Sequence, residues 1–129
     1  MPYLKPPAVT RHVVNPLVAR LHPRGVVTLS VPGRRTGRGH TVPVIPVEVA
    51  GVRYLVSPYG ESDWVRNLRA SGWAELGRKG EIELIHTSEV PAGDRAGIIA
   101  AYRNVCGRAI NPCFTRLPDP RDHPVFRIV

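Results

Sequence analysis

The sequence predicts a mainly β protein with inserted helices: a small antiparallel barrel with helices on its rim or end. Three observations carry that prediction. Short, β-branched runs recur along the chain, at residues 26–31, 41–50, 53–57, 73–76, 81–90 and 125–129. Prolines, 14 in 129 residues, punctuate the chain too often for long helices. The regular strand–helix alternation of a parallel doubly wound sheet is missing. A length of 129 residues predicts one domain, and a chain near that size buries roughly two-thirds of its unfolded surface.

Taken in order, residues 1–7 carry three prolines and read as an extended lead-in. Val9, Val13, Leu17 and Leu21 follow at helical spacing, with Val14 and Val18 beside them and Pro16 as a kink. Arg11, Arg20 and His22 on the polar side of that stretch permit a weak membrane-surface association, against the alternative of packing over a barrel end. Residues 26–31 are the first strand, and residues 41–50 the second. Pro43 and Pro46 suit only an edge or bulge there, leaving backbone free of the sheet where a flat ligand can lie. A tight turn at Ala50-Gly51 leads to the third strand. Ser62 or Asp63 caps a helix running to Ala70, with Trp64, Val65 and Leu68 inward and Gly72 ending it. A second hairpin turns near Arg78-Lys79-Gly80. Residues 93–106 make a helix with Ile98, Ile99, Tyr102, Val105 and Cys106 on one stripe. Asn111-Pro112 and Pro118-Asp119-Pro120 break the chain before a last strand at residues 125–129.

A net charge of +8 points to an acidic partner: nucleic acid, an anionic membrane or a polyanionic small molecule. Nucleic acid is disfavoured, because aromatic content is only 6% and no strand interleaves basic with aromatic residues for base stacking. Cys106 and Cys113 are too few for a disulfide framework, and the five histidines have no metal-ligand spacing. No signal-peptide pattern opens the chain and its apolar runs are short, so a soluble cytoplasmic protein is expected. Carboxylates are sparse and no nucleophile–base pair stands out, so any redox or transfer chemistry falls to a cofactor.

The charge concentrates in Pro32-Gly33-Arg34-Arg35-Thr36-Gly37-Arg38-Gly39-His40, a long loop between two strands. Glycines there free the backbone to turn N–H groups inward, and arginines add forks that match phosphate and carboxylate oxygens. A solvated basic turn accounts for the composition equally well.

Three segments in order resemble the deazaflavin-dependent nitroreductase family. Gly33-Arg34-Arg35-Thr36-Gly37 with Pro43 resembles its G-R-[KR]-[ST]-G…P signature. Ser57-Pro58-Tyr59-Gly60 stands where that family has a serine and a glycine-containing loop. Trp64-Val65-Arg66-Asn67-Leu68-Arg69-Ala70 resembles its W-x-x-N-L-[KR]-A helix. The resemblance implies a split β-barrel that binds coenzyme F420, a deazaflavin with a phosphodiester and an oligoglutamate tail. By position it implies that Arg34, Arg35, Thr36 and Gly37 hold the phosphate and tail. Pro43 would line the ring, Ser57 and Gly60 would close its far side, and Trp64 and Asn67 would fix the helix against it. His40 and Pro58-Tyr59 stand where the family often has basic residues, implying a weaker or pH-sensitive grip. The implied reaction is hydride transfer to a small electron-poor acceptor: a nitroaromatic, a quinone or an activated enone. The alternatives are FMN held in the same barrel by the same arginines, and a non-catalytic lipid- or cofactor-binding member of the superfamily. The oligomeric state is left open.

Overall fold

The structure is a computed structural model and describes residues 25–129; the expected helix at residues 9–21 lies outside them. Seven strands form one sheet: β1 (Val27–Pro32), β2 (Gly39–Val44), β3 (Val47–Val49), β4 (Val52–Val56), β5 (Trp73–Arg78), β6 (Glu81–Glu89) and β7 (Val125–Ile128). Their order is β2-β1-β5-β6-β7-β4-β3, with every pairing antiparallel.

That order forces the sheet to curl. β2 and β3 are its two outer edges, yet only Ile45 and Pro46 separate them in sequence. Three peptide units reach at most roughly 10 Å, so the edges come together without a ladder between them. The result is the expected mainly β split barrel. It also corrects the strand expected at residues 41–50, which is two strands on opposite sides of a seam. The break falls at Pro46, and Pro43 sits within edge strand β2, opposite Thr28, where a missing donor is tolerated. Two-residue turns at Ala50-Gly51 and Lys79-Gly80 have positive φ at both positions, the primed geometry that matches strand twist.

Two apolar clusters sit on the two faces of the curled sheet. Leu29, Val31, Leu55, Ala74, Leu76, Ile85, Phe126 and Ile128 fill one, closed by Val65 and Leu68 of α1 (Asp63–Ser71). The other packs Val47, Val56 and Val125 against Ile98, Ile99, Tyr102 and Cys106 of α2 (Ala96–Cys106). Phe114 and Cys113 of α3 (Asn111–Arg116) complete it. Val125 and Phe126 belong to different clusters, so β7 is buried on both faces.

Two smaller expectations change, and β6 shows its alternation. Asn111-Pro112 opens α3 instead of only interrupting the chain, since proline is accepted in a first helical turn. Val105 turns outward at 46% exposure, away from the inner stripe of α2. On β6, Ile85 points inward while Ile82 and Leu84 are 71% and 59% exposed, because period-two alternation sends them to the opposite face.

Candidate functional site

The β1–β2 loop closes on itself at its neck. Gly33 donates its N–H to the Arg38 carbonyl (2.8 Å) and Gly37 donates to the Gly33 carbonyl (2.8 Å). Gly37 does so at φ 72°, a conformation that glycine adopts without cost. A Cβ on Gly33 would meet the His40 ring at 2.9 Å, so glycine also lets the neck close. Arg38 N–H donates to Thr36 Oγ1 (3.3 Å) and Arg34 N–H to Asn67 Oδ1 (3.1 Å). With the N–H groups of Gly33, Arg34, Gly37 and Arg38 engaged, the loop's backbone is occupied in shaping it. That leaves few backbone donors, the N–H groups of Arg35 and Thr36, without a hydrogen bond among the described residues, and the other free donors are side chains.

Those side chains border a cleft of about 690 Å³ lined by the loop residues Gly33, Arg34, Arg35, Thr36, Arg38 and His40, and by Asp63 and Asn67 of α1. The arginines divide into two kinds. Arg34 is committed: its Nη1 donates to Asn67 Oδ1 (2.7 Å) and its Nη2 lies 3.7 Å from Asp63 Oδ1. Arg35 and Arg38 make no side-chain ion pair among the described residues. Asn67, only 3% exposed, spends its carbonyl oxygen on Arg34 and leaves its amide nitrogen without a hydrogen bond among the described residues. The cleft thus joins two uncommitted guanidinium groups to an amide donor at its floor.

Arg34, Arg35, Thr36, His40 and Asn67 come together as the sequence suggested, joined by Gly33, Arg38 and Asp63. Gly37, Pro43, Ser57, Gly60 and Trp64 do not line the cleft. Ser57 is fully buried, and its hydroxyl donates to the Gly60 carbonyl (2.6 Å). Gly60, at φ 85°, also accepts from Ser62 N–H (2.8 Å). Trp64 packs on the barrel cluster with its ring 6.0 Å from Phe126.

Sequence reading missed a polar network in which buried Glu61 and Arg95 are joined through the partly exposed Arg69 and Glu89. Arg69 donates from Nε and Nη2 to the two oxygens of Glu89 (2.8 and 2.7 Å) and from Nη1 to Glu61 Oε2 (2.5 Å). Arg95 joins through Nη2 to Glu89 (3.2 Å) and donates to the carbonyls of Val90, Arg121 and His123. The bonds from Arg69 hold the Glu89 carboxyl below the ordinary glutamate range, and the Glu89 carboxylate raises Arg69 in turn. The only signal in the sequence was the pairing of two isolated glutamates with arginines off the apolar stripe. Elsewhere, burial raises Tyr102, Cys106 and Cys113, which leaves the thiols in the unreactive protonated form. Among the described residues no group of three or more His, Cys, Asp or Glu is placed to hold a metal ion.

Comparison with known proteins decides the family. The profile of the F420H(2)-dependent quinone reductase family matches residues 7–108, most of the chain. The chain belongs to that family. No curated protein sequence matches it significantly. Solved structures similar to this family member include an F420-H2 dependent reductase (FDR-A), with a TM-score of 0.60 and 18% identity over 82% of this chain and 95% of that one. HutZ, a heme storage protein from Vibrio cholerae, superposes with a TM-score of 0.61 at 15% identity, covering 88% and 87% of the two chains. A NimC/NimA family protein from Clostridium acetobutylicum gives 0.57 at 13% identity over 87% and 81%. At such identities these likenesses show the fold alone. Proteins named for heme and for F420 share it, so the ligand of this quinone reductase family member must be argued from its own cleft.

Proposed function

We propose that this protein binds coenzyme F420 beside the arginine loop and serves hydride transfer to a small electron-poor acceptor, a quinone, nitroaromatic or activated enone. The observation that carries the reading is the donor set of the cleft: Arg35 and Arg38 without carboxylate partners among the described residues, above the Asn67 amide. That set fits a ligand bearing a phosphodiester and several carboxylates, since guanidinium forks match both groups. Family membership supplies the independent support; it gives none to FMN, to a lipid ligand or to a membrane partner. No helix among the described residues is long and apolar enough to cross a membrane.

In this reading Arg35 and Arg38 hold the anionic tail, with Thr36 and His40 at the rim. Arg34, already fixed by Asn67 and Asp63, supplies a positioned positive charge instead of a mobile fork. Gly37 shapes the loop, and Trp64 buttresses α1 from the barrel side. Pro43 and the seam edge of β2 are assigned to the ring; Ser57 and Gly60, buried and bonded to each other, hold the loop before α1 in shape without touching the ligand. When bound, the deazaflavin supplies a hydride from C5. The chain itself contributes grip, orientation and exclusion of water.

Titration of the purified protein with oxidised F420, read by the cofactor's fluorescence, is expected to saturate. Replacing both arginines (Arg35→Ala with Arg38→Ala) should raise Kd at least tenfold, about 1.4 kcal/mol. An unchanged Kd removes the anion-binding role on which the reading stands.

A further inference from the structure

We propose that Arg69 is a positioning residue for the cleft: through Glu61 and Glu89 it sets the loop of residues 57–62 and the seating of α1. The proposal rests on the cofactor site assigned above, because α1 carries Asp63 and Asn67 into that site.

The geometry is a closed circuit of contacts. From Arg69 it runs to Glu89 at the end of β6, then to Arg95 at the start of α2, whose Nη1 reaches the carbonyls of Arg121 and His123 (3.2 and 3.4 Å). The His123 ring, fully buried, returns to the starting loop with Nδ1 2.9 Å from the Ser57 carbonyl oxygen, while Nε2 lies 2.5 Å from that of Leu117. The Ser57 N–H adds a bond to the Pro124 carbonyl (2.9 Å). The other end of the loop is held by Arg69 itself, through Glu61. One end of residues 57–62 is therefore tied to His123 and Pro124, far away in sequence, and the other to Arg69, eight residues on, and α1 starts immediately after them.

Glu61 shows why Arg69 matters most in this circuit. The glutamate is 4% exposed, and its Oε1 is buried with no hydrogen-bond partner among the described residues. One guanidinium bond to Oε2 is what compensates its charge. A buried carboxylate that loses its partner must leave for water or take up a proton. Glu61 lies one residue before the helix cap at Ser62, so its departure moves the first turn of α1. Asp63 is in that turn, and Asn67, which accepts from both the backbone and the guanidinium of Arg34, lies one turn further. Lysine cannot replace Arg69, since one ammonium point charge does not reproduce a planar fork bonded to two carboxylates at once.

Arg69→Lys separates positioning from general stability, with Ile85→Val, a core change on β6, as the control. Two readouts are needed. In the free protein, hydrogen exchange at the amides of residues 57–62 and of Arg34 should quicken at least tenfold in Arg69→Lys and stay near wild type in Ile85→Val. In titrations with oxidised F420, Arg69→Lys should raise Kd about fivefold or more, while Ile85→Val, even with an equal drop in melting temperature, stays within twofold. Unchanged exchange in Arg69→Lys, or an equal loss of affinity in both variants, overturns the proposal. If wild-type protein fails to bind F420 while exchange quickens as stated, the cofactor reading falls and the loop clamp stands as structure only, overturning the link to binding.

Discussion

The two loops beside α1 are built in opposite ways. The arginine loop, residues 33–38, lies largely in solvent; its backbone bonds are internal apart from the one Arg34 N–H gives to Asn67, and its side chains border the cleft. The loop of residues 57–62 is mostly buried: Ser57, Gly60, Glu61 and Ser62 are all inside, and its polar groups bond partly to one another and partly to Arg69, His123 and Pro124. One loop offers contacts and the other fixes where they stand. In the proposed reading the ligand touches the first, and the energetic cost of disturbing the site falls on the second.

The largest expected effect tests that division. His123→Ala strips the single imidazole N–H from one of the buried carbonyls of Ser57 and Leu117, which costs roughly 1–3 kcal/mol, and opens a cavity where the ring packs on Phe114. Urea unfolding should show a loss of about 3 kcal/mol, against about 0.5 kcal/mol or less for Arg35→Ala, an exposed loop change. Comparable losses in the two variants would erase the contrast.

A middle-sized effect belongs to Asn67→Asp, where the two regions meet. The acceptor for Arg34 is kept, so melting temperature should move by only a few degrees. The amide donor at the cleft floor becomes a carboxylate oxygen, so F420 affinity should fall about fivefold or more in the same titration. The smallest effect is a pH dependence confined to the clamped loop. The Glu89 carboxyl is lowered chiefly by its bonds to Arg69, so its contribution is complete above the ordinary glutamate value of about 4.3 and drains away as pH falls through the lowered value. Protection factors at residues 57–62, which correct for the intrinsic slowing of exchange in acid, should therefore fall more than those on β5 as pH is lowered from about 5 to about 3. Glu89→Gln should flatten that difference.

How much of this was legible in the sequence follows the same contrast. The arginine loop, the helix carrying Asn67 and the antiparallel architecture were readable, because exposed charge, apolar periodicity and turn residues are local signals. Division of the 41–50 strand was not, since Pro46 marks a break without saying that the two halves lie at opposite edges of the sheet. Commitment of Arg34 to Asn67 also escaped, as both residues looked equally suited to touching a ligand. The loop of residues 57–62 was read as a ligand-facing serine and glycine. Its burial depends on His123, 66 positions from Ser57, and no spacing rule reaches that far.

Strand β7 carries one more consequence. Residues 125–128 pair with β6 on one side and β4 on the other, so they alone join β2-β1-β5-β6 to β4-β3. During synthesis every other strand emerges first, and the nascent chain holds two unjoined ribbons until Phe126 arrives to stitch them. Until β7 is in place the facing edges of β6 and β4 carry unpaired N–H and C=O groups, the exposed strand edges on which sheets pair wrongly.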